Sequence, residues 1–150
     1  MKAAVSRCRG FTLPEVLTAL IAVAVLAAIA IPTWRNHLLR VRRSDAMTAL
    51  HAIQVEQDRF FGRDARYADA DALARPPPAG LGLGTKSPHG YYALELVTDA
   101  DGLGYRAVAR ALPQAGQAED KRCVQMSIDQ SGIRRAQDAG GMDRSADCWR

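Results

Sequence analysis

Residues 10–15 read Gly-Phe-Thr-Leu-Pro-Glu, and Val16-Leu-Thr-Ala-Leu-Ile-Ala-Val-Ala-Val-Leu-Ala-Ala-Ile-Ala-Ile-Pro-Thr-Trp34 follows directly. The second stretch holds 19 residues without a charge. As a helix rising about 1.5 Å per residue, it nearly spans a bilayer core of about 30 Å. It is apolar on every face, unlike the one-sided helix of a soluble domain. Trp34 and Arg35 end it as an interfacial anchor would, and Lys2, Arg7 and Arg9 precede it. The positive-inside tendency then predicts a cytoplasmic N-terminus with residues 44–150 outside. A cleaved secretory signal fits less well, because the run exceeds the usual apolar region of about 7–15 residues and lacks an Ala-x-Ala ending. A plain anchor fits the length but leaves Glu15 unexplained. A lone carboxylate at the edge of a membrane helix is costly and marks function.

The distribution of charge agrees with this division. The chain has 150 residues, 20 basic against 16 acidic, a net charge of +4, and 48% apolar residues. Its length predicts one exported domain, and its composition excludes a wholly disordered chain. A pI near 9.3 invites a nucleic-acid partner only where the positive charge gathers on a folded surface. Seven of the basic residues lie in the first 43 positions, alongside Glu15 as the single acid. Residues 44–150 hold 13 basic and 15 acidic residues, a net of −2. The basicity therefore belongs to the N-terminal arm.

Gly10-Phe-Thr-Leu-Pro-Glu15 behind a short basic leader resembles the type IV pilin family, of the type IVa class. The resemblance implies cleavage between Gly10 and Phe11 by a membrane prepilin peptidase, and N-methylation of the new Phe11 amine. It further implies that Glu15 of one subunit pairs with the Phe11 amine of a neighbour, setting the stagger of helices in a filament. Such a pair attracts strongly at low dielectric, and each charge is expensive there if left alone. Pro32 falls where many pilins carry a helix-kinking proline, and inside a helix it removes a hydrogen bond. Pro14 departs from the family's usual aliphatic residue, but proline is tolerated in a first helical turn. Loss of residues 1–10 takes the net charge from +4 to +1, so most of the apparent basicity is a topology signal.

Beyond Arg43 the pattern turns amphipathic. Ala46, Ala49, Leu50, Ile53, Gln57, Phe60 and Phe61 recur at three- and four-residue spacing, which predicts one helix from about Pro14 to Phe61, stopped by Gly62. Pro76-Pro-Pro78 and Gly80, Gly82 and Gly84 mark residues 62–90 as a loop, with a short helical turn at Asp69–Ala74. Gly80–Ser87 is not a phosphate loop, because Thr85 separates Gly84 from Lys86. Alternation over Tyr91–Thr98, Leu103–Leu112 and Cys123–Ile128 predicts antiparallel strands, with Asp99–Gly102 and Asp129–Gly132 as turns and Ile133–Ala136 pairing back. Such a meander is too thin to stand without a helix on one face. The expected class is α+β: a long helix packed on a small antiparallel sheet, which is also the fold the resemblance implies. The segments are a leader (1–10), the membrane or filament-core half of the helix (11–34), its amphipathic half (35–61), the loop (62–90), and the sheet with a disulfide-bounded C-terminal region (91–150).

An oxidising compartment favours pairing Cys123 with Cys148, whereas two lone cysteines without a nearby Cys or His pair lack a zinc ligand set. Cys8 leaves with the leader. Gly90-Tyr-Tyr, Gln117-Ala-Glu-Asp120, the cysteine pair and Trp149 stand in an order similar to the PilE-type minor pilins. His37, His51 and His89 lack metal-ligand spacing, Asp99–Gly102 lacks the closing Glu of a calcium loop, and no nucleophile–base motif appears. The sequence therefore predicts no enzyme, metal or cofactor. It predicts a structural subunit of a type IV pilus, a minor pilin that helps initiate or take part in filament assembly and so serves adhesion or twitching motility. Its partners would be the prepilin peptidase, other major and minor pilins, and the inner membrane before assembly; the assembled subunit would be extracellular. The alternatives are a type II secretion pseudopilin, against which the cysteine pair argues, and a DNA-binding competence pilin. For the latter, Lys121-Arg122 and Arg134-Arg135 offer basic pairs expected on neighbouring strands; the preferred reading of them is a solvated strand face.

Overall fold

A computed structural model of the chain describes residues 12–150. Gly10 and Phe11 lie outside the described residues. Two compact units are separated at His37 and Leu38.

The first unit is the apolar part of helix α1 (Leu13–Asp64). The carbonyl of Thr12 accepts the first helical N–H groups, from Glu15 at 3.1 Å and Val16 at 3.2 Å. Pro14 sits in the first turn, where its missing N–H leaves no bond unmade. An 18-residue window here is long and apolar enough to cross a membrane, and none of it is buried. The helical assignment continues through Pro32. One residue later, the Thr33 hydroxyl donates to the Ile29 carbonyl at 2.9 Å, beside the Ala28 carbonyl that proline deprives of its N–H donor.

In the second unit, the remainder of α1 buries Ala46, Ala49, Leu50, Ile53, Gln57 and Phe60, the predicted stripe except for Phe61, which is exposed at the helix's last turn. The helix does not stop at Gly62. It runs two residues further, and Ala65 takes the left-handed conformation (φ 53°) that ends it. A Cβ added at Gly62 would meet no atom within 4 Å, so open space rather than a backbone requirement surrounds it. The predicted short turn is a 3-10 helix at Ala70–Ala72, capped by the Asp69 carboxylate, which accepts from the Ala72 N–H at 2.9 Å.

Strands β1 (Tyr92–Thr98), β2 (Tyr105–Ala111), β3 (Gln125–Asp129) and β4 (Arg134–Gln137) form one antiparallel sheet in the order β1-β2-β3-β4. Two turns hold glycines at positive φ, Gly102 (71°) and Gly132 (74°), a conformation that a Cβ disfavours. In the second, Asp129 Oδ1 accepts from the Ser131 and Ile133 N–H groups, both at 3.0 Å. The sheet's inner face presents Tyr92, Leu94, Leu96, Tyr105, Ala107, Ala109, Met126, Ile128 and Ala136 to the core. Ala46 and Ala49 of the helix and Ala107 and Ala109 of the sheet are buried in the same core. Leu50 and Ile53, both fully buried, each contribute about 1.5–3 kcal/mol by leaving water. Val108 lies on the outer face but is 5% exposed, between Glu95 and Ser127 in register.

The amide of buried Gln57 ties the loop down. It donates to the Ala68 carbonyl at 2.9 Å and accepts from the Ala68 N–H at 2.8 Å. Helix α2 (Ser145–Cys148) follows β4 and brings Cys148 back to the sheet.

Candidate functional site

Glu15 stands in the first turn of α1, exposed, with the Thr12 N–H and hydroxyl each 3.5 Å from its carboxylate. These long contacts leave most of the carboxylate's acceptor capacity open. Beyond it, Val16, Leu17, Leu20, Ile21, Val23, Val25, Leu26, Ile29 and Ile31 are all exposed. So large an apolar surface needs lipid or protein around it.

In the second unit, the disulfide between Cys123 and Cys148 forms, with Cα atoms 5.8 Å apart, within the usual span for a bridge. Around it lies a network joining α1 to the segment before β3. Arg43 donates through Nε and Nη2 to both oxygens of Asp120, at 2.7 and 3.0 Å. Arg43 Nη1 also reaches the Asp147 carbonyl at 3.4 Å. The Gln117 amide donates to the Tyr92 hydroxyl at 2.9 Å and to the Leu39 carbonyl at 3.2 Å. Burial pushes the Tyr92 hydroxyl well above its ordinary titration range, and the nearby Asp120 carboxylate adds to that. It stays neutral and available for its hydrogen bond. Trp149 docks alongside, its ring N–H donating to the Arg135 carbonyl at 3.0 Å and its ring edge-on to His51, with 6.0 Å between centroids.

Asp45 of α1 forms a second link. Its Oδ1 accepts from the His89 backbone N–H at 3.1 Å and lies 2.9 Å from His89 Nδ1. Burial pushes the Asp45 carboxyl up, but the Ser87 hydroxyl and His89 outweigh it, holding the group below the ordinary carboxylate range. The sheet's outer face carries Arg106, Arg110 and Arg135 among acids. Arg110 Nε lies 3.0 Å from both oxygens of Glu95, and Arg135 lies 3.5 Å from Asp129.

Residues 32–127 match the family described as the type IV minor pilin ComP, DNA uptake sequence receptor. The chain belongs to that family. Residues 5–31 of this pilin match the prokaryotic N-terminal methylation motif, the signal for processing by prepilin peptidase. The type IV major pilin protein PilA of Myxococcus xanthus (strain DK1622) is 39% identical over 75 residues, covering 49% of this chain. The match spans 34% of that relative's length. A solved type IV pilin from Shewanella oneidensis aligns with a TM-score of 0.46 and 23% identity, over 64% of this chain and 89% of the other.

Several expected site residues are placed by the structure. Cys123 and Cys148 meet, and Glu15 opens α1. The basic pairs are placed differently from the sequence expectation. Lys121 and Arg122 lie in a turn before β3, not on a strand, because backbone bonds such as Cys123 N–H to the Asp120 carbonyl (3.2 Å) curl the chain there. Arg122 bonds Asp147 at 3.3 Å, and Arg134 lies over the Trp149 ring, 5.4 Å from its centroid. Arg135 points to the opposite face toward Asp129. The four cations therefore form no single patch.

Three tertiary contacts around the site are not legible in the sequence. Arg43–Asp120 joins residues 77 apart, Asp45–His89 residues 44 apart, and Gln57–Ala68 residues 11 apart. The one available signal was the presence of charged and amide side chains (Arg43, Asp45, Gln57) on the stripe that α1 turns toward the core.

Proposed function

We propose that this pilin is a minor subunit that takes part in starting and building a type IV pilus. Prepilin peptidase cuts between Gly10 and Phe11, and the new Phe11 amine is methylated. Before assembly, Val16–Trp34 lies in the inner membrane, with the N-terminus cytoplasmic and residues 44–150 outside. On assembly the apolar stretch leaves lipid and packs against other major and minor pilins, where its many alanines permit close helix approach. The subunit then stands on the cell surface, in a filament serving adhesion or twitching motility. Pro32 loosens or kinks the helix where it leaves the apolar core.

The observation that carries this reading is Glu15. It is an exposed carboxylate in the first turn of α1, directly ahead of the uncharged apolar run of residues 16–34, within the methylation motif. Moving that carboxylate into a filament core is tolerable only beside a cation, and the Phe11 amine of a neighbouring subunit supplies one. Glu15→Ala should abolish incorporation into filaments while leaving cleavage largely intact. Normal incorporation of the variant contradicts the charge pairing.

A second reading, capture of DNA by the exposed domain, is favoured by the family's description as a DNA uptake sequence receptor. Arg106, on the outer sheet face, and Lys121, in the turn before β3, are the cations that would serve it. Titrating labelled duplex DNA into the full-length pilin in mild detergent tests it. Binding that weakens with salt, at a slope of about 0.9 per phosphate neutralised, supports DNA capture. Salt-independent binding, or none, contradicts it.

A further inference from the structure

A cavity of about 250 Å³ is lined by Arg40, Arg43, Arg122, Asp147 and Arg150. We propose that it binds the phosphate group of an anionic lipid headgroup. The inference rests on the membrane-anchored stage proposed above.

Charge is the first reason. Four of the five lining residues are arginines, and Asp147 is the single carboxylate side chain. Arg43 is already engaged with both oxygens of Asp120, and Arg122 bonds Asp147 at 3.3 Å. Arg40 and Arg150 make no ion pair among the described residues. Counting the side chains with Asp120, two positive charges stay unbalanced around one small space, and an anion seated there relieves their repulsion. Arginine's planar fork matches phosphate oxygens geometrically.

Construction is the second reason. Arg43 is 9% exposed and clamped by Asp120, so one wall is fixed on α1. The opposite wall is fixed by the disulfide, because Arg122 precedes Cys123 and Asp147 precedes Cys148. The Asp147 carbonyl, accepting from Arg43, ties the two walls together. The volume lies below the about 300–1,000 Å³ of sites for drug-sized molecules, which suits a headgroup phosphate rather than a base or peptide.

Chain connectivity favours a lipid as the source. Arg40 follows Trp34, the interfacial end of the apolar stretch, by six residues. Six residues reach at most about 22 Å in any conformation. The cavity's first arginine is therefore held near the headgroup layer for as long as the chain is anchored. The proposed topology also places Arg40 on the side where the positive-inside tendency disfavours it; an anionic headgroup in the cavity gives it a partner.

The test uses full-length pilin in mild detergent, with native mass spectrometry counting retained phosphatidylglycerol or phosphatidylcholine, with and without inorganic phosphate. The expected result is one phosphatidylglycerol retained at about tenfold lower lipid concentration than phosphatidylcholine. Inorganic phosphate should compete for it. Arg40→Gln combined with Arg150→Gln should weaken retention by at least about fivefold, the effect of one arginine at an anionic surface. The disulfide and melting temperature of that variant report its folding. Equal retention of both lipids, undiminished phosphatidylglycerol retention by the folded variant, or retention of inorganic phosphate or duplex DNA by a protein that retains no phosphatidylglycerol in their absence overturns the proposal. Alkali-resistant membrane association of the wild type is scored alongside. Its loss sinks the anchored stage itself, whereas its persistence without lipid preference sinks only the cavity's assignment.

Discussion

Arg43 on α1 and Asp120, in the turn before β3, form a two-pronged ion pair at 2.7 and 3.0 Å, with side chains 11% and 4% exposed. The pair fastens the helix to the segment that carries Cys123, and Gln117 approaches the same Asp120 carboxylate at 3.5 Å. Both charges have left water, so each depends on the other.

Removing one partner strands the other. Arg43→Ala or Asp120→Ala should cost about 3–5 kcal/mol of folding stability, measured by urea denaturation of the full-length pilin in mild detergent. Arg43→Lys should restore only part of it, since an ammonium cannot reproduce the paired guanidinium contacts. A loss near zero for either alanine variant would show that the pair is solvated.

Cys123 and Cys148 close a loop with a sequence separation of 25. In the chain-entropy treatment, such a bridge stabilises by roughly 3 kcal/mol. Cys123→Ser with Cys148→Ser should lower stability by about that amount. Reduction of the wild type should bring its denaturation midpoint to that of the variant.

Asp45 gives the acid limb of stability a specific source. Its carboxyl titrates below the ordinary range in the folded pilin, so near pH 4 the unfolded chain binds more protons than the folded one. Its contribution is complete above about pH 5 and is lost as pH falls through the folded value, below about 4. Thermal melting across about pH 2–7 should show this fall, and Asp45→Asn should flatten part of it. An unchanged acid limb in the variant would assign the fall elsewhere.

The long helix and the meander were legible because their signals are local. An uncharged 19-residue run, a three- and four-residue stripe and strict alternation each declare an element from neighbouring residues alone. Strand ends were less legible. β3 begins at Gln125 rather than Cys123 because turn bonds and the disulfide hold the intervening residues, neither of which alternation registers. The end of α1 was missed for a similar reason: Gly62 is compatible with a stop but does not impose one, and Ala65 adopts the unfavourable left-handed conformation instead. Arg43–Asp120 and Asp45–His89 were invisible, because nothing in a sequence pairs side chains that only tertiary packing brings together.

The central claim, that the chain is processed as a prepilin and built into a pilus, is tested most directly by mass spectrometry of filaments sheared from cells. The account predicts a peptide of this chain beginning at N-methylated Phe11, at low stoichiometry beside the major subunit. A chain absent from filaments, or one whose N-terminus is Met1 or lies beyond Pro32, would contradict it.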